Sequence, residues 1–273
     1  MFTAIYVVQS IQQTQKVRTD IENPISGPFI AFIPVVAVLL SQHYAQYAPI
    51  AGTYAILFFV TILAAIAARL AAHWISGGLP NASVMHGGYL VPVVAGPFIA
   101  SIGLTSVGLH DLALYAFGAG LFFWLTLGTI VMYSHIAGGR VQRSASPALT
   151  AFLAASATAS IAWLVAHPAP GPPDALQSIL TGVLFIMLFV QIALIRQYRR
   201  LPFGMEYWVF FFPVASTANY LIRWLAQVNA PGWQLWAWGI LALSTAFVGV
   251  IGIGTAVALI RGRRSKSAEL AGN

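Results

Sequence analysis

A proline-centred segment occurs twice in the chain, first as Phe32-Ile-Pro-Val-Val-Ala-Val38 and, 58 residues later, as Leu90-Val-Pro-Val-Val-Ala-Gly96. A repeat at a fixed period indicates that one structural unit is used several times. Four such units begin near residues 27, 88, 148 and 206, at spacings of 61, 60 and 58 residues. The chain is therefore expected to be built from four similar units in one orientation.

The composition sets the environment of these units. Of the 273 residues, 59% are hydrophobic and 7% are charged, and ordinary soluble domains have roughly a quarter charged residues. Six acids and thirteen bases cannot cover the surface of a soluble globule of this length. The chain is predicted to be an integral membrane protein. It has no cysteine, which excludes disulfides, iron–sulfur clusters and thiolate catalysis.

Eight apolar stretches are long enough to cross a bilayer as helices, which takes about 20 residues. They run over about 27–43, 52–73, 88–106, 111–137, 148–166, 175–196, 206–226 and 233–260. Their apolar runs are continuous rather than alternating, so the fold class is all-α. Asp174 is placed to cap the sixth helix. Residues 1–12 are too short to cross, and we interpret them as the second half of a helix whose beginning is missing.

The basic residues predict the topology. Lys and Arg follow the first short segment and the fourth, sixth and eighth spans, and Arg69 lies at the inner end of the second span. The loops near residues 44–51, 107–110, 167–174 and 227–232 hold none; the bases outside the spans are Lys16, Arg18, Arg140, Arg143, Arg196, Arg199, Arg200, Arg261, Arg263, Arg264 and Lys266. Cytoplasmic loops carry this excess. We expect one multi-pass domain over 1–261 in the inner (plasma) membrane, with a cytoplasmic basic tail at 262–273. Arg223 is the only base near the outer side.

Each unit is predicted to form a helical hairpin, with a first helix and a return helix. If such hairpins are arranged in parallel around an axis, their first helices enclose a central path. The interior prolines lie in the first helices alone; they are Pro28, Pro34, Pro92, Pro97, Pro147 and Pro213. A proline kink in a bilayer is tolerated where protein or a water-filled cavity satisfies the backbone. Kinking for packing is the simpler alternative, and the segregation of the prolines favours a pore.

The polar residues narrow the function classes. No Asp or Glu falls in the middle of a span, which disfavours cation pores and proton- or sodium-coupled carriers and favours anions. The six histidines lie near span ends, as expected for interfacial hydrogen bonding rather than haem ligation. Catalytic and phosphate-binding signatures are absent from the sequence, so no enzyme activity, cofactor or metal is expected. The bases lie in loops, so nucleic acid is not an expected partner.

The seventh span is the most unusual one. Phe210, Phe211 and Phe212 precede Pro213, and a small, polar stretch that includes Ser216 and Asn219 follows. Aromatic residues commonly face lipid or pack against other helices. The functional alternative is a phenylalanine that projects into a pore as an apolar plug.

The chain resembles the tellurite-resistance/dicarboxylate transporter family, which includes TehA-like proteins and plant slow anion channels. Four segments in order carry the resemblance: Arg18-Thr-Asp-Ile-Glu-Asn-Pro24 with Phe29-Ile-Ala-Phe-Ile-Pro34, Tyr89-Leu-Val-Pro-Val-Val-Ala95, Leu109-His-Asp-Leu-Ala-Leu-Tyr-Ala-Phe-Gly-Ala-Gly120, and Tyr207-Trp-Val-Phe-Phe-Phe-Pro-Val-Ala-Ser-Thr-Ala-Asn219. The resemblance implies five hairpins in a quasi-fivefold arrangement around a pore, and usually a homotrimer. By that pattern this chain lacks the first helix and part of the second.

The resemblance also implies a function and a gate. The family gate is the phenylalanine directly before a proline, which is Phe212 here, with Phe210 and Phe211 as neighbours. Pore-lining and kink candidates are Pro34, Pro92, Pro97, Pro213, Ser216 and Asn219. The expected function is an anion channel or channel-like anion transporter that passes small inorganic or organic anions. A coupled exporter of C4-dicarboxylates, sulfite or tellurite is the alternative, and a membrane haem protein is a more distant one.

Overall fold

The computed structural model describes residues 23, 27–78, 85–137, 143–168, 171–201 and 203–271. The predicted partial helix 1–12, Lys16, Arg18 and Arg140 lie outside these ranges. The all-α prediction is confirmed, because the described residues form helices and turns and no strand. The eight α-helices of these ranges are α1 (Phe32–Ala45), α2 (Pro49–Ile75), α3 (Gly96–Ser106), α4 (His110–Ala137), α5 (Ala151–Ala166), α6 (Ala175–Tyr198), α7 (Phe211–Gln227) and α8 (Trp233–Ala271).

Consecutive helices pack as antiparallel pairs: α1 with α2, α3 with α4, α5 with α6 and α7 with α8. The first member of each pair is the inner helix and the second is the return helix. Short turns join them, and two of these turns depend on glycine. Gly108 follows α3 with φ of 77°, and Gly232 precedes α8 with φ of 69°. Side chains strongly disfavour this left-handed region, so glycine permits the chain to reverse within a few residues.

Each inner helix is preceded by a segment that is not α-helical, which the sequence analysis did not predict. These lead-in segments are 3-10 helices at Gly27–Ala31, Gly87–Tyr89, Arg143–Thr150 and Met205–Phe210, and a π-helix at Val91–Ala95. Pro28, Pro92 and Pro147 lie inside them. Proline has no N–H to donate, so the regular hydrogen-bond ladder is interrupted at these points. The prolines therefore mark a change of helix type as each inner helix begins.

The inner helices form the interior of the bundle. α1 contacts α3, α3 contacts α5, and α5 contacts α7. Of the 18 most apolar consecutive residues of Gly87–Ser106, 94% are buried, whereas 22% are buried in the corresponding stretch of α4. Tyr89, Phe98 and Tyr220 are among the largest side chains that are fully buried here. The inner helices α3 and α5 are thus largely enclosed, whereas only 33% of the corresponding stretch of Gly27–Ala45 is buried.

The return helices present apolar surface outward, as Tyr54, Leu125 and Leu243 illustrate with exposed fractions of 71%, 66% and 75%. Within the described ranges, seven helices are long and apolar enough to cross a membrane. An apolar exterior of this extent requires lipid. The prediction of a multi-pass membrane protein is confirmed. The helix at 211–227, which has 17 residues, is not among the seven.

The beginning of α6 and the end of α8 can be compared with the predictions from the sequence. Asp174 caps α6 as predicted: its Oδ1 accepts a hydrogen bond from the backbone N–H of Gln177 at 2.7 Å, and its Oδ2 accepts one from Trp163 Nε1 at 2.8 Å. At the other end of the chain, α8 continues to Ala271, whereas the last span was expected to end near 260. The Lys, Arg, Glu and Ala residues there are good helix formers, and a preceding helix can propagate into them.

Candidate functional site

The three consecutive phenylalanines before Pro213 have three different environments. Phe210 is 7% exposed and packs with Tyr198 and Ile251, its ring centroid 4.9 Å from that of Tyr198. Phe211 is 41% exposed on the outer surface beside Trp208. Phe212 is half-buried and turns toward the inner helices. Of the three residues in the predicted gate region, only Phe212 faces the interior of the bundle.

Phe212, the second residue of α7, packs against an apolar cluster built by the other inner helices. Its neighbours belong to a buried apolar cluster that includes Val35 of α1, Val91 of the π-helical lead-in segment and Ile99 of α3. The ring of Phe32 contacts it edge to face, with ring centroids 6.3 Å apart and an angle of 76° between the planes. Edge-to-face pairs of this kind stabilise beyond simple burial. This ring pair is therefore a direct contact between the beginnings of α7 and α1.

Phe32 was not singled out from the sequence as a site residue. It belongs to Phe29-Ile-Ala-Phe-Ile-Pro34, one of the segments that carry the family resemblance. The ring of Phe29 stacks on that of Phe32 at 5.9 Å. A ladder of aromatic rings thus runs from Phe212 through Phe32 to Phe29. Only the contact across helices α1 and α7 identifies Phe32, and a single sequence does not contain that information.

The backbone around Pro213 is held by a serine. Pro213 is the third residue of α7, a position at which its missing N–H removes no hydrogen bond within the helix. Ser216 Oγ donates to the backbone oxygens of Phe212 at 2.8 Å and of Pro213 at 3.2 Å. Both Pro213 and Ser216 are buried. Ser216 thereby fixes the backbone that carries the Phe212 ring, and its hydroxyl hydrogen is engaged with the helix.

One face of α7 carries Phe212, Ser216, Asn219 and Arg223. Their spacing of four, three and four residues places them along one stripe of an α-helix. Arg223 Nε donates to Asn219 Oδ1 at 2.8 Å, and both side chains are exposed. The stripe therefore changes along the helix from an aromatic ring to a hydroxyl, then an amide and finally a guanidinium.

The Arg223 end of this stripe borders a cavity of about 670 Å³. The C-terminal ends of α1 and α3 and the beginning of α2 form the other walls, and the polar side chains in the lining are Gln42, His43, Gln46, Thr53, Ser106 and Arg223. His43 also packs against Tyr44 and Tyr47, with ring centroids at 5.2 and 6.3 Å. His43 is one of the six histidines expected from the sequence to form interfacial hydrogen bonds, and Arg223 is the base that the sequence places near the outer side.

The proline candidates lie at or just before the beginnings of the inner helices. Pro34 is the third residue of α1, Pro97 is the second residue of α3, and Pro213 is the third residue of α7, while Pro92 lies in the π-helical segment. In the first turn of a helix the missing N–H has no intrahelical partner to lose. Pro34, Pro97 and Pro213 are thus accommodated in first turns, and a place for the four prolines along a pathway stays a prediction.

The structure contains no cluster of three or more His, Asp or Glu side chains suited to a metal within the described ranges. Asp174, in a turn outside the spanning helices, is the acid whose environment is most distinctive. The backbone N–H of Gln177 is the main cause that lowers the pKa of this carboxyl, with the indole N–H of Trp163 and the nearby His167 acting in the same direction. Its role is to hold the α5–α6 turn.

Comparison with known proteins connects the geometry to a family. The family profile described as "SLAC1: Voltage-dependent anion channel" matches residues 1–256. The "Tellurite resistance protein TehA homolog" of Haemophilus influenzae is 26% identical over 226 residues, covering 80% of this chain and 66% of the relative. The "S-type anion channel SLAH2" of Arabidopsis thaliana is 22% identical over 227 residues, covering 82% and 43%. The "S-type anion channel SLAH3" of the same plant is 22% identical over 247 residues, covering 89% and 38%. The chain thus spans less than two thirds of the length of these relatives.

Proposed function

Because this chain belongs to the SLAC1 family of voltage-dependent anion channels, we propose that it passes small anions across a membrane between its inner helices. The observation that carries the proposal is the stripe on α7. Phe212, Ser216, Asn219 and Arg223 share one face, next to α1 and α3 at the phenylalanine and next to a polar cavity at the arginine. An aromatic constriction followed by neutral and positive groups suits the conduction of anions.

The absence of strong anion ligands between Phe212 and Arg223 supports passage of anions rather than tight binding. Ser216 already donates its hydroxyl hydrogen to backbone oxygens, so it has no free hydrogen-bond donor for an anion. The stripe carries no carboxylate, which would repel an anion. High flux requires that each site bind weakly enough for rapid release. Neutral, pre-engaged groups between a ring and a single guanidinium meet that requirement.

We assign the gate to Phe212. The ring is half-buried among apolar groups of α1, α3 and the π-helical segment, and no hydrogen bond fixes it. Such a ring can block by occupying space and by excluding water, and it can leave that position without breaking a polar contact. Phe210 and Phe211, which face Tyr198 and the outer surface, do not have this position.

The assembly and topology complete the proposal. We place the C-terminal ends of the inner helices outside and the basic tail 262–273 in the cytoplasm of the inner membrane, because Lys and Arg are confined to alternate loops. The chain is proposed to form one transmembrane domain over 1–261 and to assemble as a homotrimer with one pathway per subunit, as the family resemblance implies. Quasi-fivefold symmetry of hairpins is part of the same proposal.

Ion selectivity tests the function directly. The purified chain is reconstituted in planar bilayers with a tenfold potassium chloride gradient, and the reversal potential is measured. An anion pathway places that potential close to the equilibrium potential of chloride. A reversal potential near that of potassium, or no current from protein that is monodisperse by size-exclusion chromatography, would contradict the proposal.

A coupled dicarboxylate exchanger is the second candidate, and Arg223 is the observation that favours it. A guanidinium binds a carboxylate through two parallel hydrogen bonds. An exchanger would take up labelled malate only when unlabelled malate is present inside the vesicle, and it would carry no net current. A channel would show net current and no such requirement.

A further inference from the structure

We infer that Arg223 and the polar groups around it form a capture site for planar oxyanions and carboxylates at the end of the pathway away from Phe212. This inference rests on the proposed function and adds a second site to the same pathway. The site is the 670 Å³ cavity bounded by α1, α2, α3 and α7. It lies 11 residues along α7 from the ring of Phe212 and on the same helix face.

The orientation of the guanidinium is the first argument. Arg223 Nε donates to Asn219 Oδ1 at 2.8 Å, one turn earlier on α7. This bond restrains the side chain along its own helix and leaves the two terminal amino groups of the guanidinium for other partners. Those two groups match the spacing of two oxygens in nitrate or a carboxylate. Asn219 therefore acts as a positioning residue for Arg223.

The charge balance of the cavity is the second argument. Its lining, as far as the structure describes it, contains Arg223 and no Asp or Glu. Gln42 and Gln46 of the α1 end supply amide N–H donors to the same space. Ser106 Oγ donates to the backbone oxygen of Gly103 at 2.7 Å, so its hydrogen is directed away from the cavity. A cavity with one cation, amide donors and no carboxylate attracts anions and repels cations.

The exposure of the site fits capture and release. Arg223 and Asn219 are both exposed, so a bound anion keeps part of its hydration and binds weakly. A weak site at the mouth raises the local concentration of anions without trapping them. Its contribution is therefore expected at low anion concentration and should disappear at high salt.

The absence of cysteine from the chain permits a sharp test with a single introduced thiol. In Arg223→Cys, nitrate conductance at low concentration is expected to fall about tenfold, since one charge-assisted hydrogen-bonding group is lost. A trimethylammonium thiosulfonate reagent restores a positive charge and should recover most of the conductance. A sulfonate thiosulfonate reagent adds a negative charge and should reduce it further.

Tyr47→Cys is the matched control. Tyr47 lies at the same end of the bundle and is 75% exposed, but it does not line the cavity. Neither reagent should change the nitrate conductance of this variant by more than about twofold, because the introduced charge lies outside the cavity and among exposed, hydrated groups. Equal responses of Tyr47→Cys and Arg223→Cys would show a general surface-charge effect and overturn the inference, as would identical effects of the two reagents on Arg223→Cys.

Two further variants keep the test decisive if the cysteine variant does not fold. Arg223→Lys should retain conductance at low nitrate and lose part of the preference for nitrate over chloride, because an ammonium lacks the planar pair of donors. Arg223→Gln should lose conductance at low nitrate. Lysine and glutamine variants that behave alike would overturn the inference. A wild-type chain without anion selectivity would instead contradict the proposed function itself.

Discussion

Replacing Phe212 with alanine is expected to raise anion conductance while leaving the protein folded. A fully buried phenylalanine costs about 3–5 kcal/mol when it is truncated to alanine. Phe212 is half-buried, so its truncation should remove roughly 2 kcal/mol of packing against α1 and α3. If that packing belongs to the closed arrangement, the ratio of open to closed pathways rises about 30-fold, since about 1.4 kcal/mol corresponds to a factor of ten.

The neighbouring phenylalanines serve as matched controls. Phe210 is 7% exposed and packs with Tyr198 and Ile251, so Phe210→Ala should cost about 3–5 kcal/mol and lower the yield of folded protein without opening the pathway. Phe211 is 41% exposed, so Phe211→Ala should change stability by about 1 kcal/mol or less and leave conductance unchanged. Phe32→Ala removes the ring that meets Phe212 edge to face, and it should raise conductance in the same direction.

Chloride current through planar bilayers measures all four variants, with each current divided by the amount of monodisperse protein reconstituted. The expected order is Phe212→Ala above Phe32→Ala, with both above wild type and Phe211→Ala at the wild-type level. The reasoning is refuted if Phe211→Ala conducts as much as Phe212→Ala, because ring orientation would then have no effect. It is also refuted if Phe212→Ala folds well and conducts no more than wild type.

Four predictions concern stability and are measured by thermal unfolding of the detergent-solubilised protein. Asp174→Ala should lose about 1 kcal/mol and Asp174→Asn much less, because asparagine also caps a helix; equal losses would show that the cap is unimportant. Because the pKa of Asp174 is lowered, its contribution to the free energy of unfolding is present at neutral pH and is lost as the pH falls through the folded-state pKa. Wild type should show this loss of stability on acidification, and Asp174→Ala should not. Tyr220→Phe should cost about 1–3 kcal/mol by unpairing Gln177 Nε2, which donates to the Tyr220 hydroxyl at 2.7 Å; an unchanged melting temperature would contradict this. Gly87→Ala should be strongly destabilising, since a Cβ there would overlap the backbone oxygen of Ala148, whereas Gly118→Ala, with open space around it, should be neutral.

The sequence was sufficient to predict the helical class and the membrane environment. Continuous apolar runs and the scarcity of charge determine both, and no tertiary contact is needed to infer them. The cap at Asp174 was equally accessible, because capping depends on residues that are near in sequence. The lead-in segments were not predicted: a proline such as Pro92 indicates an interruption, but the choice between 3-10, π and α geometry is settled by packing against other helices.

Only part of the candidate site could be predicted from the sequence. The run of phenylalanines before Pro213 drew attention to Phe210, Phe211 and Phe212, yet their different directions follow from the helix phase set by the Met205–Phe210 segment. Phe32 and the polar residues near Arg223 come from helices far away in the sequence, so their proximity to α7 depends on the tertiary arrangement. Local patterns identify α7 as unusual, and only the packed bundle shows what it faces.

The 3-10 segment Met205–Phe210 couples rotation of α7 about its axis to translation along that axis. A 3-10 helix turns 120° and rises about 2.0 Å per residue, whereas an α-helix turns 100° and rises 1.5 Å. Every residue that passes from one geometry to the other therefore rotates the rest of α7 by about 20° and translates it by about 0.5 Å. Converting two or three residues would swing the adjoining Phe212 ring through about 40–60°, so a small change in backbone winding acts on that ring as a large angular displacement.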